Sequence, residues 1–491
     1  MRPGCGVRCI AFTLAVLLTG TAANVPAALA VAPPVVDPSL VPPDGPPSPE
    51  QPMRQSNECA RTMATADPDV SAPTPGFAML NISRAWQYST GNGVSIALID
   101  TGVSPNDRLR VLPGGDYIMS GDGLTDCDAH GTIVASLITA APRGIPMPPP
   151  LPPNPLPPNP LPPNPLPTNP PAPPGIPDGV AGVAPHATLI SIRQSSRAFE
   201  PQYSGGADGA VRKKAGTVAT LARAIVHAAN AGAEVINVSV TACTSAVDPL
   251  DQRAIGAAVW YAATVKDAVI VAAAGNASDD GCAQNPAFEP WVNGGSRDWA
   301  RVVTVSSPSW FSDYVLSVGA VDSTGVPIDK SLAGPWVGVA APGVNIVGLS
   351  PQNASAVNAY PPARPGDPAV PFWGSSFAAA YVSGVAALVR AKYPELSAHQ
   401  VINRILQTSH NPPGGVDNQV GYGVVDPVAA LTFNVAPGDR VAPGALTRVL
   451  TAPTAPQAPD HRARSAALGF TVAIAGIVGL GAVIARARRA R

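Results

Sequence analysis

The chain has 491 residues and a formal net charge of −1, and charged residues make up 13% of it. A chain so evenly balanced offers no basic surface for a phosphate backbone, so we predict no nucleic-acid partner. Proline is the unusual component, with 60 residues that cluster at 33–52, 142–177 and 437–459. Because proline lacks the backbone donor and fixes φ, these stretches exclude helices and central strands and delimit the compact part of the chain.

The first 30 residues have the three parts of a secretory signal peptide. Arg2 and Arg8 give a basic start, 10–18 is an apolar run, and the small residues AALA end at Ala30. An uncleaved membrane anchor is the alternative, but the apolar run is short beside the ~20 residues that span a bilayer. We therefore expect cleavage near Ala30 and export from the cytoplasm, which leaves a proline-rich N-terminal extension over 31–76.

Strands and helices alternate along the body of the chain. Short β-branched runs predict buried strands, and apolar residues at helical spacing predict helices. The predicted strands are 93–100, 235–240, 269–276 and 316–322, and the predicted helices are 217–233, 251–268, 376–394 and 397–409. Such alternation implies right-handed crossovers, so we predict an α/β fold with a mainly parallel sheet that helices cover on both faces. In such sheets the working residues collect at the carboxyl ends of the strands.

Four polar residues lie at the ends of these predicted elements. Asp100 and Asn276 close apolar strands. His130 precedes an apolar helical run, and Ser376 begins the predicted helix 376–394. Taken singly, each has a structural explanation as a turn former, a buried histidine or a helix cap. Together they form the set that acyl transfer needs: a hydroxyl nucleophile, a base, a carboxylate that orients the base, and a donor for the oxyanion.

The proline repeat at 151–171 lies between the first two of these candidates and the last two. One site needs all four, so the repeat does not separate two independent domains. We predict an insertion loop over 142–178, with a composition that favours polyproline II or disordered chain. A flexible spacer and a docking arm for a partner are both open interpretations. A further loop, 351–371, precedes the nucleophile candidate and is predicted to border the cleft.

Five short stretches resemble the sequence blocks of the subtilisin-like serine proteases, in that family's order. They are ALIDTGV, HGTIVAS, GVAPHATL, AAAGN and GSSFAAAYVSGVAAL, and the resemblance covers roughly 80–432. It implies a subtilisin-like three-layer fold for a peptidase domain over 77–435. The stretch VSVTACT departs from the family pattern at one wall of the substrate pocket, which leaves the preferred P1 residue open.

The same resemblance implies a role for each candidate. Asp100 orients the imidazole of His130, which acts as general base and then general acid. Ser376 attacks the carbonyl in preference to Ser375, because the family's nucleophile is the third residue of its block. The side chain of Asn276 and the backbone N–H of Ser376 hold the oxyanion. This mechanism requires neither a metal nor another cofactor, and we predict none.

Four cysteines remain once the signal peptide is removed, and an even number in an oxidising compartment favours disulfides. Half of a zinc site at Cys127 and His130 is the alternative, but no second pair stands at suitable spacing. The stretch DCDAHGT, the C-terminal anchor described next and the four cysteines resemble the mycosins, the membrane-anchored subtilases of mycobacterial type VII secretion systems. The disulfides that this resemblance implies are Cys59–Cys127 and Cys243–Cys282.

The C-terminal region ends in an apolar segment. Residues 466–485 carry no charge over 20 positions, about the length that crosses a bilayer. Four arginines follow it, against Arg462 and Arg464 before it, so the tail 486–491 is predicted to be cytoplasmic. A buried core helix is the alternative. We predict a single-pass protein of the cell membrane, with a proline-rich linker over 436–465 and the catalytic domain on the extracytoplasmic side.

Two functions of different classes remain in competition. The leading prediction is a membrane-anchored serine endopeptidase that hydrolyses protein or peptide substrates, with a type VII secretion complex as its partner by resemblance. The rival is a structural subunit that stabilises the secretion complex, with proteolysis secondary. An esterase or peptide ligase on the same fold is a third possibility with little support. The sequence leaves open the substrate and whether the N-terminal extension blocks the cleft.

Overall fold

The computed structural model describes residues 31–143, 149, 177–203, 215–247, 251–277, 279, 281–287, 297, 299–445 and 462–489. The predicted signal peptide, most of the predicted insertion loop and most of the predicted linker lie outside the described residues. The chain divides into two compact units, Met1–Ala445 and Leu446–Arg491.

The strands of the first unit follow in chain order. They are β1 (Met53–Gln55), β2 (Ser95–Asp100), β3 (Val111–Asp116), β4 (Thr188–Arg193), β5 (Phe199–Pro201), β6 (Val235–Val238), β7 (Ala242–Ser245), β8 (Val269–Ala273), β9 (Thr304–Ser307), β10 (Val315–Val321), β11 (Val337–Pro342), β12 (Gly348–Leu349), β13 (Ala356–Val357), β14 (Ala359–Tyr360) and β15 (Val370–Pro371). The helices are α1 (Pro75–Met79), α2 (Ile82–Ala85), α3 (His130–Thr139), α4 (Val218–Asn230), α5 (Arg253–Trp260), α6 (Ser375–Lys392), α7 (Ala398–Thr408) and α8 (Pro427–Thr432). A π-helical turn, Tyr261–Val265, continues α5, and two 3-10 turns cover Pro38–Leu40 and Trp299–Arg301.

One seven-stranded sheet forms the centre, in the order β11-β10-β8-β6-β2-β4-β3. All neighbouring strands in it are parallel. The predicted mainly parallel sheet is therefore confirmed. Because β2, β6 and β8 are adjacent and run in the same direction, the residues that follow them meet at one edge of the sheet.

Helices pack on both faces of this sheet, so the unit has three layers. Successive residues of a strand face opposite sides. On β2, Leu98 belongs to the core that contains Ile133 of α3, whereas Ile99 packs in the other core with Leu221 of α4 and Val259 of α5. Each of these side chains is almost wholly buried. Burial of one such side chain is worth about 1.5–3 kcal/mol, and this holds the helices on both faces.

The N-terminal extension contacts the peptidase domain at several points. Strand β1 pairs antiparallel with β5, and Met63 forms a bridge with Ala359. The two disulfides implied by the resemblance are both present, with S–S distances of 2.02 Å for Cys59–Cys127 and 1.96 Å for Cys243–Cys282. The first of them fixes the extension three residues before His130.

The two ends of the predicted insertion lie side by side. The backbone N–H of Asp178 donates to the carbonyl of Arg143 at 3.3 Å. Arg108, whose side chain is fully buried, reaches both ends at once. Its guanidinium makes two hydrogen bonds to the Asp178 carboxylate, at 2.7 and 3.0 Å, and others to the carbonyls of Ala141 and Val180. This one side chain therefore fixes the points at which the chain leaves and re-enters the domain.

We expect Arg108→Ala to lower the free energy of unfolding by about 3–5 kcal/mol, because it leaves a carboxylate and two carbonyls without their partner in a buried site. Chemical denaturation of the protein measures this. The control is Arg143→Ala at the same place, which breaks a 3.4 Å ion pair with the half-exposed Asp107 and should cost less than about 1 kcal/mol. Equal losses of unfolding free energy in the two variants would contradict the conclusion that Arg108 holds the two ends of the insertion together.

The second unit contains α9 (Arg462–Arg489), a helix of 28 residues that includes the predicted membrane segment. Among the residues that the structure describes, no helix combines the length and apolar character needed to cross a membrane.

Candidate active site

Asp100 lies at the carboxyl end of β2, in the middle of the sheet, and its side chain is fully buried. Its Oδ1 accepts a hydrogen bond from the backbone N–H of Thr101 at 2.6 Å, and it lies 2.7 Å from Nδ1 of His130. A strand buried on both faces leaves this carboxylate little freedom to turn. The sequence prediction that Asp100 and His130 belong to one site agrees with this contact.

His130 is the first residue of α3, and its side chain is 24% exposed. Two effects of opposite sign act on its pKa. Burial of the imidazole lowers the pKa, while the charge of Asp100 and the hydrogen bond to it raise the pKa. The charge of Asp126 raises the pKa further, and the net result is a His130 pKa above its ordinary value. The geometry thus favours an imidazole that can accept and hold a proton.

Asp126 connects the two segments that carry this pair. Its carboxylate accepts from Thr101 Oγ1 at 2.9 Å, and from the backbone N–H and hydroxyl of Thr132 at 2.8 and 2.7 Å. Burial raises the pKa of Asp126 to about 6. In the sequence Asp126 is only one residue of the stretch DCDAHGT, and it was assigned no role. Its position four residues before the histidine was the only sign in the sequence that it belongs to the site. The hydrogen bonds that Thr101 and Thr132 donate to its carboxylate form only in the folded chain.

Ser376 is the second residue of α6 and is buried. Its carbonyl accepts from Ser239 Oγ at 3.1 Å, and Ser239 accepts in turn from Asn237 Nδ2 at 2.7 Å. The Asn237 amide oxygen accepts from Ser383 Oγ at 2.7 Å, and Ser383 lies seven residues after Ser376 on α6. This buried network joins the first turns of α6 to the end of β6 and fixes the backbone at Ser376.

Asn276 follows β8, and its amide is held by the residue before the nucleophile candidate. Asn276 Oδ1 accepts from the backbone N–H of Ser375 at 3.0 Å and lies 3.2 Å from Ser375 Oγ. Gly374 marks the space between Asn276 and Ser376. A β-carbon added to this glycine, where φ is +148°, would lie 3.4 Å from Ser376 Oγ and 3.7 Å from Asn276 Nδ2. The hydroxyl and the amide therefore border one small volume.

An aromatic row borders the histidine. The rings of His130 and Phe377 lie 5.2 Å apart, those of Phe377 and Phe372 lie 6.3 Å apart, and those of Phe372 and Tyr360 lie 4.8 Å apart. The Tyr360 hydroxyl lies 3.5 Å from the carbonyl of Asp128, two residues before the histidine. The predicted loop 351–371 is thus close to the site, and it contains short paired strands.

The described parts of the chain contain no group of three or more histidine, cysteine or acidic side chains arranged to hold a metal ion. The arrangement consists of a buried carboxylate against an imidazole, and a serine hydroxyl beside an amide at the start of a long helix. Such groups suit acyl transfer, since they supply a proton acceptor, a nucleophile and a donor for negative charge on oxygen.

A family model described as the subtilase family matches residues 91–423. The chain therefore belongs to the subtilase family of serine proteases, as the sequence blocks predicted. It is 58% identical to Mycosin-2 of Mycobacterium tuberculosis (strain ATCC 25618 / H37Rv), over 100% of this chain and 99% of that protein. The predicted likeness to mycosins is thus confirmed.

Solved structures agree with this likeness. The crystal structure of MycP1 from Mycobacterium smegmatis has a TM-score of 0.74 and 41% identity, and the match covers 86% of this chain and 100% of that chain. A chain of the intact ESX-5 inner membrane complex has a TM-score of 0.72 and 49% identity, with 93% and 100% covered. The fold is therefore subtilisin-like.

Proposed function

We propose that this protein is an extracytoplasmic serine endopeptidase with Asp100, His130 and Ser376 as its catalytic triad and Asn276 as an oxyanion donor. The 2.7 Å contact between Asp100 and His130 is the observation that supports it most directly. The common border of Ser376 and Asn276 at Gly374 supports the second half of the assignment.

Catalysis begins when Ser376 Oγ attacks the carbonyl carbon of the scissile peptide and its proton passes to His130. Asp100 holds the imidazole through Nδ1, so the other ring nitrogen receives the proton, and the carboxylate stabilises the imidazolium. The Asn276 amide and the Ser376 backbone N–H stabilise the tetrahedral oxyanion. His130 then donates the proton to the leaving amine, which gives an acyl-enzyme on Ser376. Water, deprotonated by the same imidazole, hydrolyses this ester and restores the serine.

We expect the acylation rate to rise with pH through the pKa of His130, because only the neutral imidazole accepts the serine proton. Since this pKa is raised above the ordinary 6.5, the midpoint of the acidic limb should lie above 6.5. The charge of Arg197 lowers the His130 pKa and that of Asp100 raises it. Rates of serine labelling measured against pH should therefore show a midpoint moved upward in Arg197→Gln and downward in Asp100→Asn. Shifts in the opposite directions would contradict the assignment of His130 as the base.

We also propose that the protein is held at the membrane by the segment 466–485 and works as a subunit of a type VII secretion complex. The likeness to a chain of the intact ESX-5 inner membrane complex supports the partner. A second ESX-5 assembly, described as periplasmic, matches with 50% identity and a TM-score of 0.72, and supports an extracytoplasmic catalytic domain. These likenesses equally favour the rival function, a subunit that stabilises the complex.

One experiment separates the two functions. Wild type, Ser376→Ala and a full deletion are compared in the native host by labelling with a tagged fluorophosphonate and by export of secreted proteins. An endopeptidase with a dedicated substrate predicts that Ser376→Ala abolishes labelling and changes the processing of an exported protein. If export and processing are intact in Ser376→Ala but export is lost in the deletion, the structural role is the primary one. Fractionation after removal of 466–491 tests the membrane anchor.

A further inference from the structure

The amide of Asn276 already has a partner in the structure. Its Nδ2 donates to Oδ2 of Asp279 at 3.1 Å, while its Oδ1 accepts from Ser375. An asparagine amide has two N–H groups. One is directed to the Asp279 carboxylate, which leaves the other for an oxyanion formed at Ser376. A fixed negative charge therefore shares its donor with the negative charge that the reaction generates.

Asp279 is held in place by the loop that carries it. Its backbone N–H donates to the Asn276 carbonyl at 3.0 Å, and its own carbonyl accepts from the backbone N–H of Cys282 at 3.0 Å. The Cys243–Cys282 disulfide joins that loop to β7. The carboxylate is thus fixed beside Asn276 by a turn and a covalent link, and not by its contact with the amide alone.

A cation from the other side of the site faces Asp279. The guanidinium of Arg197 lies 3.7 Å from Asp279 Oδ1, and its side chain is 91% exposed. The backbone N–H of Arg197 donates to Asp128 Oδ1 at 2.7 Å, which places it on the segment beside His130. The ion pair therefore connects the His130 side of the site with the Asn276 side, and it offsets part of the Asp279 charge.

The Asp279 carboxylate is not required to orient the Asn276 amide, because the backbone N–H of Ser375 already fixes the amide oxygen. Its remaining effect is electrostatic. Two oxygens bound to one amide nitrogen lie about 5 Å apart, and like charges at that distance repel. The repulsion is absent before Ser376 attacks and greatest at the tetrahedral intermediate, so it slows acylation and leaves ground-state binding unchanged.

We propose that the negative charge of Asp279, held beside the Asn276 amide, repels the developing oxyanion and so lowers the acylation rate of Ser376, and that Arg197 sets the strength of this restraint. The inference rests on the proposed function. It identifies an inhibitory charge beside the oxyanion donor, and its removal should yield a faster enzyme.

The test measures phosphonylation of the intact protein by a tagged fluorophosphonate, with the maximal rate constant and the inhibitor constant determined separately. Asp279→Asn keeps the size and the acceptor oxygen but removes the charge. We expect the maximal rate to rise about tenfold, toward the lower part of the range of about 4-fold to about 300-fold that like charges about 5 Å apart produce between full solvation and partial burial. The inhibitor constant should not change.

A double-mutant cycle shows whether the effect passes through Asn276. In an Asn276→Ala background, Asp279→Asn should still raise the maximal rate by a similar factor, because the repulsion between the carboxylate and the oxyanion acts through space and does not need the amide. A gain that is lost in the Asn276→Ala background would overturn the proposal, as would an unchanged or lower rate in Asp279→Asn alone. If wild type is labelled and Ser376→Ala is not, the proposed function holds whether or not the inference about Asp279 survives. Wild type that is never labelled contradicts the proposed function, and with it this inference.

Discussion

Replacing Ser376 with alanine is expected to lower turnover by about 10⁶-fold, because a subtilisin-like triad without its hydroxyl loses the covalent route altogether. The fold should survive, since the contacts that hold this part of α6 use the Ser376 carbonyl and the side chains of Ser239, Asn237 and Ser383. Hydrolysis of a cleavable peptide, followed over long times, gives the residual rate, and thermal unfolding confirms that the variant is folded.

The neighbouring serine provides the matched control. Ser375 Oγ donates to the carbonyl of Gly275 at 3.0 Å and contacts the Asn276 amide, but its backbone N–H makes the other bond to that amide and stays in Ser375→Ala. We expect the turnover of this variant to fall about tenfold, because it loses only one of the two Ser375 contacts to the Asn276 amide, which is the oxyanion donor. If Ser375→Ala were inactive and Ser376→Ala active, the nucleophile would be Ser375.

Removal of the Asn276 side chain should lower turnover by about 10²–10³-fold, the effect of losing one preorganised donor to the oxyanion. Asn276→Asp is the sharper variant, because it keeps an oxygen for the Ser375 contacts and removes both N–H donors. We expect at least the loss seen in Asn276→Ala, since a carboxylate would also repel the oxyanion. The measurement is kcat with KM determined separately, and the loss should fall on kcat.

A wild-type kcat in both Asn276 variants would remove this residue from the oxyanion site. A rise in KM with an unchanged kcat would instead make it a substrate-binding group. Thermal unfolding of the two variants serves as the control, because Asn276 is only half-buried and its loss should leave the domain folded.

Those parts of the fold that follow from local pattern were predictable from the sequence. The runs at 93–100 and 316–322 predicted β2 and β10 to within two residues, because strands buried on both faces need continuous apolar side chains. The helix predicted at 397–409 is α7, which begins with a capping box between Ser397 and Gln400. Strand β8 ends at Ala273 instead of 276, since Gly275 takes a positive φ of 108°.

Other elements gave no usable local signal. Strand β3 contains Pro113, Gly114 and Gly115 in its six residues and lies at the edge of the sheet, where its register with β4 is interrupted. Strands β7 and β9 are four residues long each and pair with each other outside the main sheet. Such strands owe their existence to a partner far away in the chain, so neither composition nor periodicity indicates them.

The candidate residues were predictable and the groups that support them were not. Asp100 ends β2 and Asn276 lies three residues after β8, while His130 and Ser376 lie at helix starts. The apolar runs beside these residues are features of the sequence. Asp126 accepts hydrogen bonds from Thr101 and Thr132, and only the folded chain brings these residues together. The same holds for Asp279 beside Asn276, since an acidic residue in a polar loop is ordinary until its neighbour is known.

The two disulfides lie beside the same site. The Cys59–Cys127 disulfide ends three residues before His130, and Cys243–Cys282 holds the loop that carries Asp279. Each link joins segments that are distant in sequence, with separations of 68 and 39 residues. Because closing such loops restricts the unfolded chain, each is worth about 2–4 kcal/mol in stability. Both also lie next to segments that hold proposed catalytic groups.

The most direct test of the central assignment is to locate the covalent adduct. The purified protein is treated with a fluorophosphonate at a pH above the His130 midpoint, digested, and analysed by mass spectrometry for the modified residue. We predict one adduct, on Ser376, which is absent when His130 is replaced by alanine. An adduct on Ser375 or on any other serine, or labelling that is unchanged without His130, would contradict the proposed triad.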